Sequence, residues 1–280
     1  MLRWGERTYL MGVVNVTADS FSGDGLAPPG RDIDEVVAAA VELARGFVES
    51  GAEIIDVGAE STRPRDAYGD HPDVDAASEA SLAVPVVRGI VDALGDRVLV
   101  SIDTSKGSVA RAAVEAGVGM VNDVWAARRD PDTAEAAREA GTYLVLMHNQ
   151  EGREYPGGVF ASVVATLRSD IEAAVRRGVP RERLIADPGI GFGKGTQENL
   201  ELLHRLAELK SELDGMPLLV GTSRKRFIGE LLDGAPPDDR VEGTAATVAL
   251  AIAAGADIVR VHDVAAIDRT RRVADAIVRR

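Results

Sequence analysis

The sequence contains no cysteine, few aromatic residues and a marked shortage of positive charge. The absence of cysteine excludes disulfide bonds and thiolate chemistry. The formal net charge of −13 argues against a broad nucleic-acid surface, because such a surface needs clustered lysine and arginine. Any site for an anion must therefore be a local cluster of cations.

Long apolar runs are also missing. The N-terminus has no apolar signal region, and no apolar run approaches the ~20 residues that a membrane span requires. We therefore predict a cytoplasmic protein with neither a membrane nor a nucleic acid as its partner. Aromatic residues make up only 4% of the chain and hydrophobic residues 45%, so aliphatic side chains must fill the core.

Strand-like runs recur at a fairly even spacing and alternate with Ala-rich segments of helical periodicity. This alternation implies a parallel sheet with helices outside, and eight such units in about 250 residues are typical of a (β/α)8 TIM barrel. No linker is visible, so we predict a single domain over residues 1–280, with an open doubly wound sheet as the alternative. The predicted strands are 9–16, 53–58, 98–103, 120–124, 143–148, 184–187, 218–222 and 258–262.

The predicted strands differ at their two ends. Every one delivers polar or charged residues at its C-terminal end, whereas the N-terminal ends carry ordinary turn residues such as Glu49-Ser50-Gly51. The active sites of barrels of this kind lie at the face formed by the C-terminal ends. The asymmetry therefore predicts an enzyme or a ligand-binding protein.

One group of strand-end residues combines two carboxylates, an amide and an ammonium: Asp103, Asn122, Asp187 and Lys225. Such a set makes a poor metal cage but suits a flat heterocycle, because the carboxylates accept N–H bonds and the lysine donates to a ring oxygen or nitrogen. The alternative is that these groups pair with one another, as Asp187 could with Lys225.

A second group, formed by Arg63, Arg260 and His262, has the chemistry that a phosphate or pyrophosphate requires. Ser223 lies close to the start of a helix and could assist. The alternatives are ordinary ion pairs of the two arginines at the barrel rim and a buried, structural histidine. Asn15 offers a neutral oxygen, so a Mg²⁺ ion held mainly by phosphate oxygens could bind there.

The glycine-rich stretch 189–195 does not match either nucleotide-binding fingerprint, because Pro188 and Thr196 stand where glycine is needed. Its glycines predict a backbone that closes against a ligand. Phe192 could stack on that ligand or simply pack within the loop. No pattern in the sequence suggests a covalent nucleophile, so the predicted site orients substrates and stabilises a departing anion.

Seven stretches of the sequence together resemble one family, dihydropteroate synthase, the folate-pathway enzyme that sulfonamides target. The resemblance implies a barrel that condenses dihydropterin-hydroxymethyl pyrophosphate with p-aminobenzoate and releases pyrophosphate. The matching stretches, which span almost the whole chain, are 12–22, 55–64, 101–104, 122–123, 187–192, 221–225 and 260–263.

The resemblance also implies roles for individual residues. It assigns catalysis to Asp103, Lys225 and Arg63, and it adds a homodimer and Mg²⁺ bound at Asn15. The implied pterin pocket is formed by Asp103, Asn122, Asp187, Lys225 and Arg260. The implied pyrophosphate site contains Asn15, Arg63 and His262, and the implied p-aminobenzoate side contains Thr62, Pro64, Phe192 and Ser223.

The chain departs from the family pattern at Ala18, at Ala59 and in the run Trp125–Ala127, where the family usually has proline, glycine and a Ser-Gly-Gly-like run. None of these positions has an assigned chemical role. Two rival interpretations remain open: a paralogue that binds pterin without condensing it, and a barrel that transfers a methyl group from a folate. The second would have no pyrophosphate for the cationic cluster to bind.

Overall fold

A computed structural model describes residues 2–17, 25–28, 30–60 and 74–279, and these contain eight parallel strands. Each strand lies within two residues of its predicted bounds. The largest difference is at β7, which is only two residues long. The strands are β1 Tyr9–Asn15, β2 Ile54–Gly58, β3 Leu99–Asp103, β4 Met120–Asp123, β5 Tyr143–Met147, β6 Leu184–Asp187, β7 Leu219–Val220 and β8 Ile258–Val261.

The strands form one sheet in the order β6-β5-β4-β3-β2-β1-β8-β7. Between its two end strands lies a single parallel bridge from Ala186 to Leu218, and the amide of Ala186 donates to the carbonyl of Pro217 at 2.9 Å. This contact closes the sheet into a (β/α)8 barrel and confirms the predicted fold. The seam between β6 and β7 is its most weakly paired part.

Helices follow the strands around the outside of the barrel, and their apolar faces cover the outward-facing strand residues. Among the described residues no helix combines the length and apolar composition needed to cross a membrane. The helices are α1 Ile33–Glu49, α2 Ala76–Leu94, α3 Gly107–Glu115, α4 Asp132–Ala140, α5 Val159–Arg176, α6 Thr196–His204, α7 Leu206–Glu212, α8 Arg226–Leu231, α9 Val241–Ala253 and α10 Val264–Val278, with 3₁₀ turns at Gly95–Arg97, Arg181–Arg183 and Pro237–Asp239.

Aspartates begin the first two of these helices. The carboxylate of Asp32 accepts from the amide of Asp34 before α1, and that of Asp75 accepts from the amides of Ala77 and Ser78 before α2. These caps satisfy amides that have no partner within the helix. They fix where the chain turns from the barrel mouth into each helix.

The interior of the barrel is apolar at the end where the strands begin. A separate buried cluster fills it with one or two residues from every strand except β3, whose half-buried Leu99 packs against the cluster. Trp4 packs edge-on against Tyr9 and Tyr143, with ring centroids 5.9 Å apart in both cases. The N-terminal segment therefore covers this end of the barrel. The cluster consists of Tyr9, Met11, Ile54, Met120, Tyr143, Val145, Ile185, Leu219 and Ile258.

The interior becomes polar towards the other end, because side chains on a strand alternate between its two faces. On β8, Ile258 belongs to the apolar cluster, and Arg260 and His262 follow at two-residue steps on the same face. Strand pairing places Asp103 of β3 level with Asn122 of β4. Alternation and register together therefore deliver the polar residues to one end of the barrel.

Candidate active site

A cavity of about 410 Å³, measured with its opening to solvent, lies at the C-terminal ends of the strands. All five residues that the resemblance assigns to pterin line it, together with three of those assigned to the other substrate groups. The hydrogen bond between Asp103 and Arg260 alone joins lining residues that are 157 positions apart in the chain. The lining residues are Asp103, Asn122, Val124, Met147, Asp187, Phe192, Gly221, Ser223, Lys225, Arg260 and His262.

Arg260 is the centre of an ionic network at the floor of this cavity. Its Nε donates to Asp56 Oδ2 at 2.7 Å, and its Nη2 donates to Asp103 Oδ2 at 2.9 Å. The side-chain amide of Asn122 donates to the same Oδ2 of Asp56 at 3.0 Å. The rim ion pair considered for Arg260 is therefore wrong, because its partners are carboxylates inside the barrel.

Two carboxylates of this network keep unused hydrogen-bonding capacity. Asp56 Oδ1 and Asp103 Oδ1 are both buried, and neither has a hydrogen-bond partner among the described residues. Burial raises the pKa of Asp103, the positive charge of Arg260 opposes that rise, and the neighbouring Asp56 adds to it. A ligand that donates N–H groups would satisfy these oxygens.

Asp187 and Lys225 face the same cavity from β6 and from the loop after β7. The Asp187 carboxylate accepts from the amide of Gly189 at 2.7 Å, and burial raises its pKa. The Lys225 ammonium donates to the carbonyl of Ile190 and lies 4.2 Å from the centre of the Phe192 ring. The loop after β6 therefore holds both charged groups.

Two residues assigned to different groups, His262 to pyrophosphate and Ser223 to p-aminobenzoate, are adjacent. Ser223 Oγ accepts from the backbone amide of His262 at 3.2 Å and lies 3.1 Å from His262 Nδ1. When the hydroxyl donates to Nδ1, the imidazole proton lies on Nε2, where it can be donated to an anion. The histidine is thus part of the site and not of the apolar core.

A bidentate ion pair fixes the relative position of the last two strand-end loops. Arg224, which has a left-handed φ of 60°, donates to Asp263 through Nε at 3.0 Å and through Nη2 at 2.7 Å. The two residues flank Ser223 and His262 in sequence. The pair therefore keeps the hydroxyl and the imidazole together at the barrel rim.

Asn15 ends β1 at the barrel rim, half-buried, and its carbonyl accepts from the amide of Leu26 at 3.1 Å. The described residues contain no group of three or more His, Asp or Glu side chains that could hold a metal ion. A neutral amide with no carboxylate cluster suits a Mg²⁺ ion whose other ligands are phosphate oxygens and water. Asn15 is thus compatible with the predicted metal, although the metal itself remains a prediction.

Three predicted residues, Thr62, Arg63 and Pro64, lie outside the described residues, as does Ala18. The chain on either side of 61–73 is firmly held. Lys106 donates to Glu60 at 2.5 Å and to the fully buried Glu79 at 2.6 Å, and Glu60 also accepts from the amide of Val74 at 3.3 Å. Glu60 is therefore paired with Lys106.

Sequence reasoning missed several residues of the site, above all Asp56. A fully buried aspartate in the middle of the apolar strand Ile54–Gly58 was the available signal, since a buried charge needs a partner. Met147 and Gly221 also line the cavity at strand ends where neighbouring residues were considered. Val124 lines it as well and gave no polar signal.

The glycines of this loop let it pack closely against protein groups, and its closure against a ligand stays a prediction. A Cβ on Gly189 would lie 1.9 Å from the carbonyl oxygen of His148, and one on Gly191 would lie 2.5 Å from Cδ of Lys225. Both glycines also have positive φ values, of 67° and 82°. Close approach and backbone geometry therefore both require glycine here.

The run Trp125–Ala127 forms a tight turn after β4. Ala126 and Ala127 have left-handed φ values of 55° and 57°, and the Asp123 carboxylate accepts from the amides of Trp125 and Ala127 at 2.8 and 2.9 Å. Arg129 stacks on the Trp125 ring at 3.7 Å. The buried aspartate stabilises a turn that glycine would adopt with less strain.

Comparison with known proteins extends these findings. The family described as pterin binding enzyme matches residues 11–262. A dihydropteroate synthase of Bacillus subtilis is 43% identical over 276 residues, covering 99% of this chain and 90% of that protein. A dihydropteroate synthase structure from Clostridium difficile, in the presence of pteroic acid, has a TM-score of 0.90 and 42% identity, covering 100% of both chains. The Xanthomonas albilineans enzyme with 4-aminobenzoic acid has a TM-score of 0.86 and 39% identity, covering 98% of this chain and 94% of that one.

Proposed function

This chain belongs to the family of pterin-binding enzymes, and from that premise we propose that its barrel mouth makes 7,8-dihydropteroate. The function is that of a dihydropteroate synthase, a transferase of folate synthesis. The substrates are dihydropterin-hydroxymethyl pyrophosphate and p-aminobenzoate, and the second product is pyrophosphate. The observation that carries this proposal is the polar cavity in which strand-end carboxylates, an amide, a lysine and an arginine converge.

The pterin is bound first, at the floor of the cavity. Asp187 and Asp103 accept N–H bonds from its amino-pyrimidine edge, Asn122 makes one bond of each kind, and Lys225 donates to a ring acceptor. The unused oxygen of Asp103 and the closeness of Lys225 to Asp187 support these roles. Arg260 packs over the ring and keeps its pairing with Asp56.

Pyrophosphate then leaves from the exocyclic carbon of the pterin. The C–O bond breaks, the oxygen keeps the electron pair, and the electron-rich pterin stabilises the cation that remains. Arg63 and His262 bind the departing anion. Asn15 would hold a Mg²⁺ ion, which would supply further positive charge there. The position of His262 beside the end of β8 supports its role.

The amine nitrogen of p-aminobenzoate forms a bond to the same carbon with its lone pair and loses one proton to pyrophosphate or water. Ser223 and Phe192 line the cavity near the point of attack and hold this substrate together with Thr62 and Pro64. No protein nucleophile is needed, because the leaving group departs before the new C–N bond forms.

An assay of the purified chain tests the proposal directly. With the pterin pyrophosphate, p-aminobenzoate and Mg²⁺, we expect equal amounts of dihydropteroate and pyrophosphate, and we expect chelation of Mg²⁺ by EDTA to abolish turnover. Pteroic acid binding, followed by calorimetry, serves as the control for a folded site. Binding without any turnover would instead identify a pterin-binding paralogue.

We further propose that the chain acts in the cytoplasm. We also propose a homodimer, as the resemblance implies. Leu250 on α9 and Val273 and Ile277 on α10 are exposed by 68%, 62% and 65%. The two helices pack against each other, so these side chains form an apolar surface that a second copy could cover.

A further inference from the structure

Lys194 is a buried lysine that no step of the proposed reaction uses. It is only 4% exposed and lies in the loop between β6 and α6. Its ammonium donates to the carbonyls of Gly189 and Phe192 at 2.9 and 3.0 Å, and it lies 2.9 Å from His148 Nδ1. A buried ammonium is costly, so one held in this way needs a reason.

The number of N–H donors on this ammonium matches the number of close acceptors around it. An ammonium has three N–H donors, and two carbonyls and an unprotonated imidazole nitrogen offer three acceptors. Burial, together with the charges of Lys194 and Arg128, lowers the pKa of His148 to about 3, so the ring is neutral and can accept. The donors of Lys194 are thus all used within the protein, which argues against a direct role in substrate binding.

The two carbonyls belong to the loop that holds the charged groups of the pterin pocket. The amide of Gly189 donates to the Asp187 carboxylate at 2.7 Å. Between the two carbonyls, Ile190 accepts from Lys225 and the ring of Phe192 lies beneath the Lys225 ammonium. The ammonium of Lys194 therefore joins both ends of the segment that orients Asp187 and Lys225.

Other contacts hold the loop from outside. Asn199 accepts from the amide of Gly191 at 2.6 Å, and the Tyr155 hydroxyl donates to the carbonyl of Gly193 at 2.7 Å. Neither bond links the Gly189 carbonyl to the Phe192 carbonyl. The Phe192 amide also donates to the Gly189 carbonyl at 3.0 Å, so the turn keeps one backbone bond without the ammonium. Loss of the ammonium would leave that bond alone to close the turn, and the spacing between the two charged groups would be less tightly set.

We propose that Lys194 is a positioning residue for pterin binding, which sets the separation of Asp187 and Lys225 through the loop from Gly189 to Phe192. The proposal rests on the proposed function, because it takes these two groups to be pterin ligands. The role is indirect: Lys194 contacts the loop, and the loop contacts the groups that bind.

The surroundings of Lys194 act on its charge in both directions. Burial lowers its pKa to about 7, the Asp187 carboxylate opposes this, and the cations Lys225 and Arg128 add to it. The neutral His148 is the remaining titratable group in contact with it. Asp187 thus favours the charged form of Lys194 and is itself held by the loop that Lys194 braces.

The test compares Lys194→Met with Lys210→Met. Lys210 is a matched control, because it also donates to a carbonyl, that of Gly255, and to a buried carboxylate, Asp257, but near the start of β8. We expect Lys194→Met to weaken pteroic acid binding about tenfold and to raise KM for the pterin substrate, with KM for p-aminobenzoate within about twofold. Lys210→Met lowers stability and leaves both KM values unchanged.

The absence of cysteine allows a second test in case Lys194→Met does not fold. Lys194→Cys, alkylated while unfolded with bromoethylamine, regains an ammonium of nearly the original length. Alkylation with iodoacetamide gives a side chain of similar length without charge. We expect the refolded aminoethyl form to bind pteroic acid within about twofold of the unaltered protein and the amide form to bind about tenfold more weakly.

The outcomes separate this inference from the proposed function. Equal pteroic acid affinities for the two alkylated forms, or equal changes in both KM values, would overturn the role of Lys194 while the unaltered chain still makes dihydropteroate. An unaltered chain that neither binds pteroic acid nor turns over would overturn the proposed function itself.

Discussion

The two ends of the barrel carry similar side chains but use them differently. At the end where strands begin, Asp275 uses both carboxylate oxygens, accepting from the amide and hydroxyl of Thr8 at 2.9 and 2.7 Å and from Arg279 at 3.1 Å. At the other end, Asp56 and Asp103 each keep a buried oxygen without a partner among the described residues.

This difference separates a structural network from a binding network. A buried polar atom without a partner costs free energy. Asp257 Oδ1 near the start of β8 also lacks a partner among the described residues, but the two such oxygens at the mouth belong to the network that lines the cavity. In the Asp275 network, protein donors bond to both carboxylate oxygens. In the Arg260 network, two carboxylate oxygens are left for donors that a ligand would supply. Substitutions at the two ends should therefore affect different measurements.

The largest expected effect is that of Lys225→Ala at the mouth. Loss of the ammonium removes a charge-assisted bond to the pterin and leaves its acceptor without a partner, so we expect kcat/KM to fall about 1000-fold. Because Lys225 is only half-buried, the melting temperature should change little. Thermal unfolding and steady-state kinetics on the same preparation check both points. A large loss of stability would contradict the proposal that residues at the mouth serve binding rather than stability.

A smaller effect of the opposite kind is expected from Asp275→Ala. The substitution leaves the amide and hydroxyl of Thr8 without acceptors, so the free energy of unfolding should fall by about 2–3 kcal/mol. Turnover per folded molecule should be unchanged, since Asp275 lies at the far end of the barrel from the cavity. Urea unfolding gives the first quantity and kinetics well below the melting temperature the second. A reduced kcat would show that the two networks are coupled.

The smallest effect, and the most specific, concerns pH and Asp103→Asn. The pKa of Asp103 is higher in the folded chain than in the unfolded one, so the folded chain binds more protons and the free energy of unfolding falls as pH rises. Asparagine removes this dependence. We expect the variant to gain about 1 kcal/mol relative to the unaltered protein between pH 5 and pH 7.5, while losing activity. A stability difference that does not vary with pH would mean that the folded state keeps Asp103 ionised throughout.

The fold was predictable from local pattern because buried parallel strands leave a clear trace. Tyr9–Asn15 and Leu184–Asp187 are almost wholly apolar, and each ends in a polar residue. The exact length of β7 was not predictable, because whether Gly221 and Thr222 belong to the sheet depends on their pairing with the neighbouring strands. The packing of Trp4 under the barrel also depends on contacts distant in sequence.

The site was predictable where chemistry is concentrated at strand ends and not where it depends on pairing. Asp103, Asn122, Asp187 and Lys225 are polar residues at such ends, and all four line one cavity. The role of Asp56 follows from a bond to Arg260 across 204 positions, which no local pattern records. The bonds of Lys194 depend likewise on the folded shape of its loop.

The weakly paired seam between β6 and β7 lies beneath the cavity, where a bound ligand can contact residues from both sides of it. Asp187 ends β6 on one side, and Lys225 follows β7 on the other, with one bridge between the strands. A pterin bound by both residues would cross-link β6 and β7, the most weakly paired neighbouring strands of the barrel. The bound substrate would thus stabilise this part of the barrel, and that stabilisation would be lost when the product leaves.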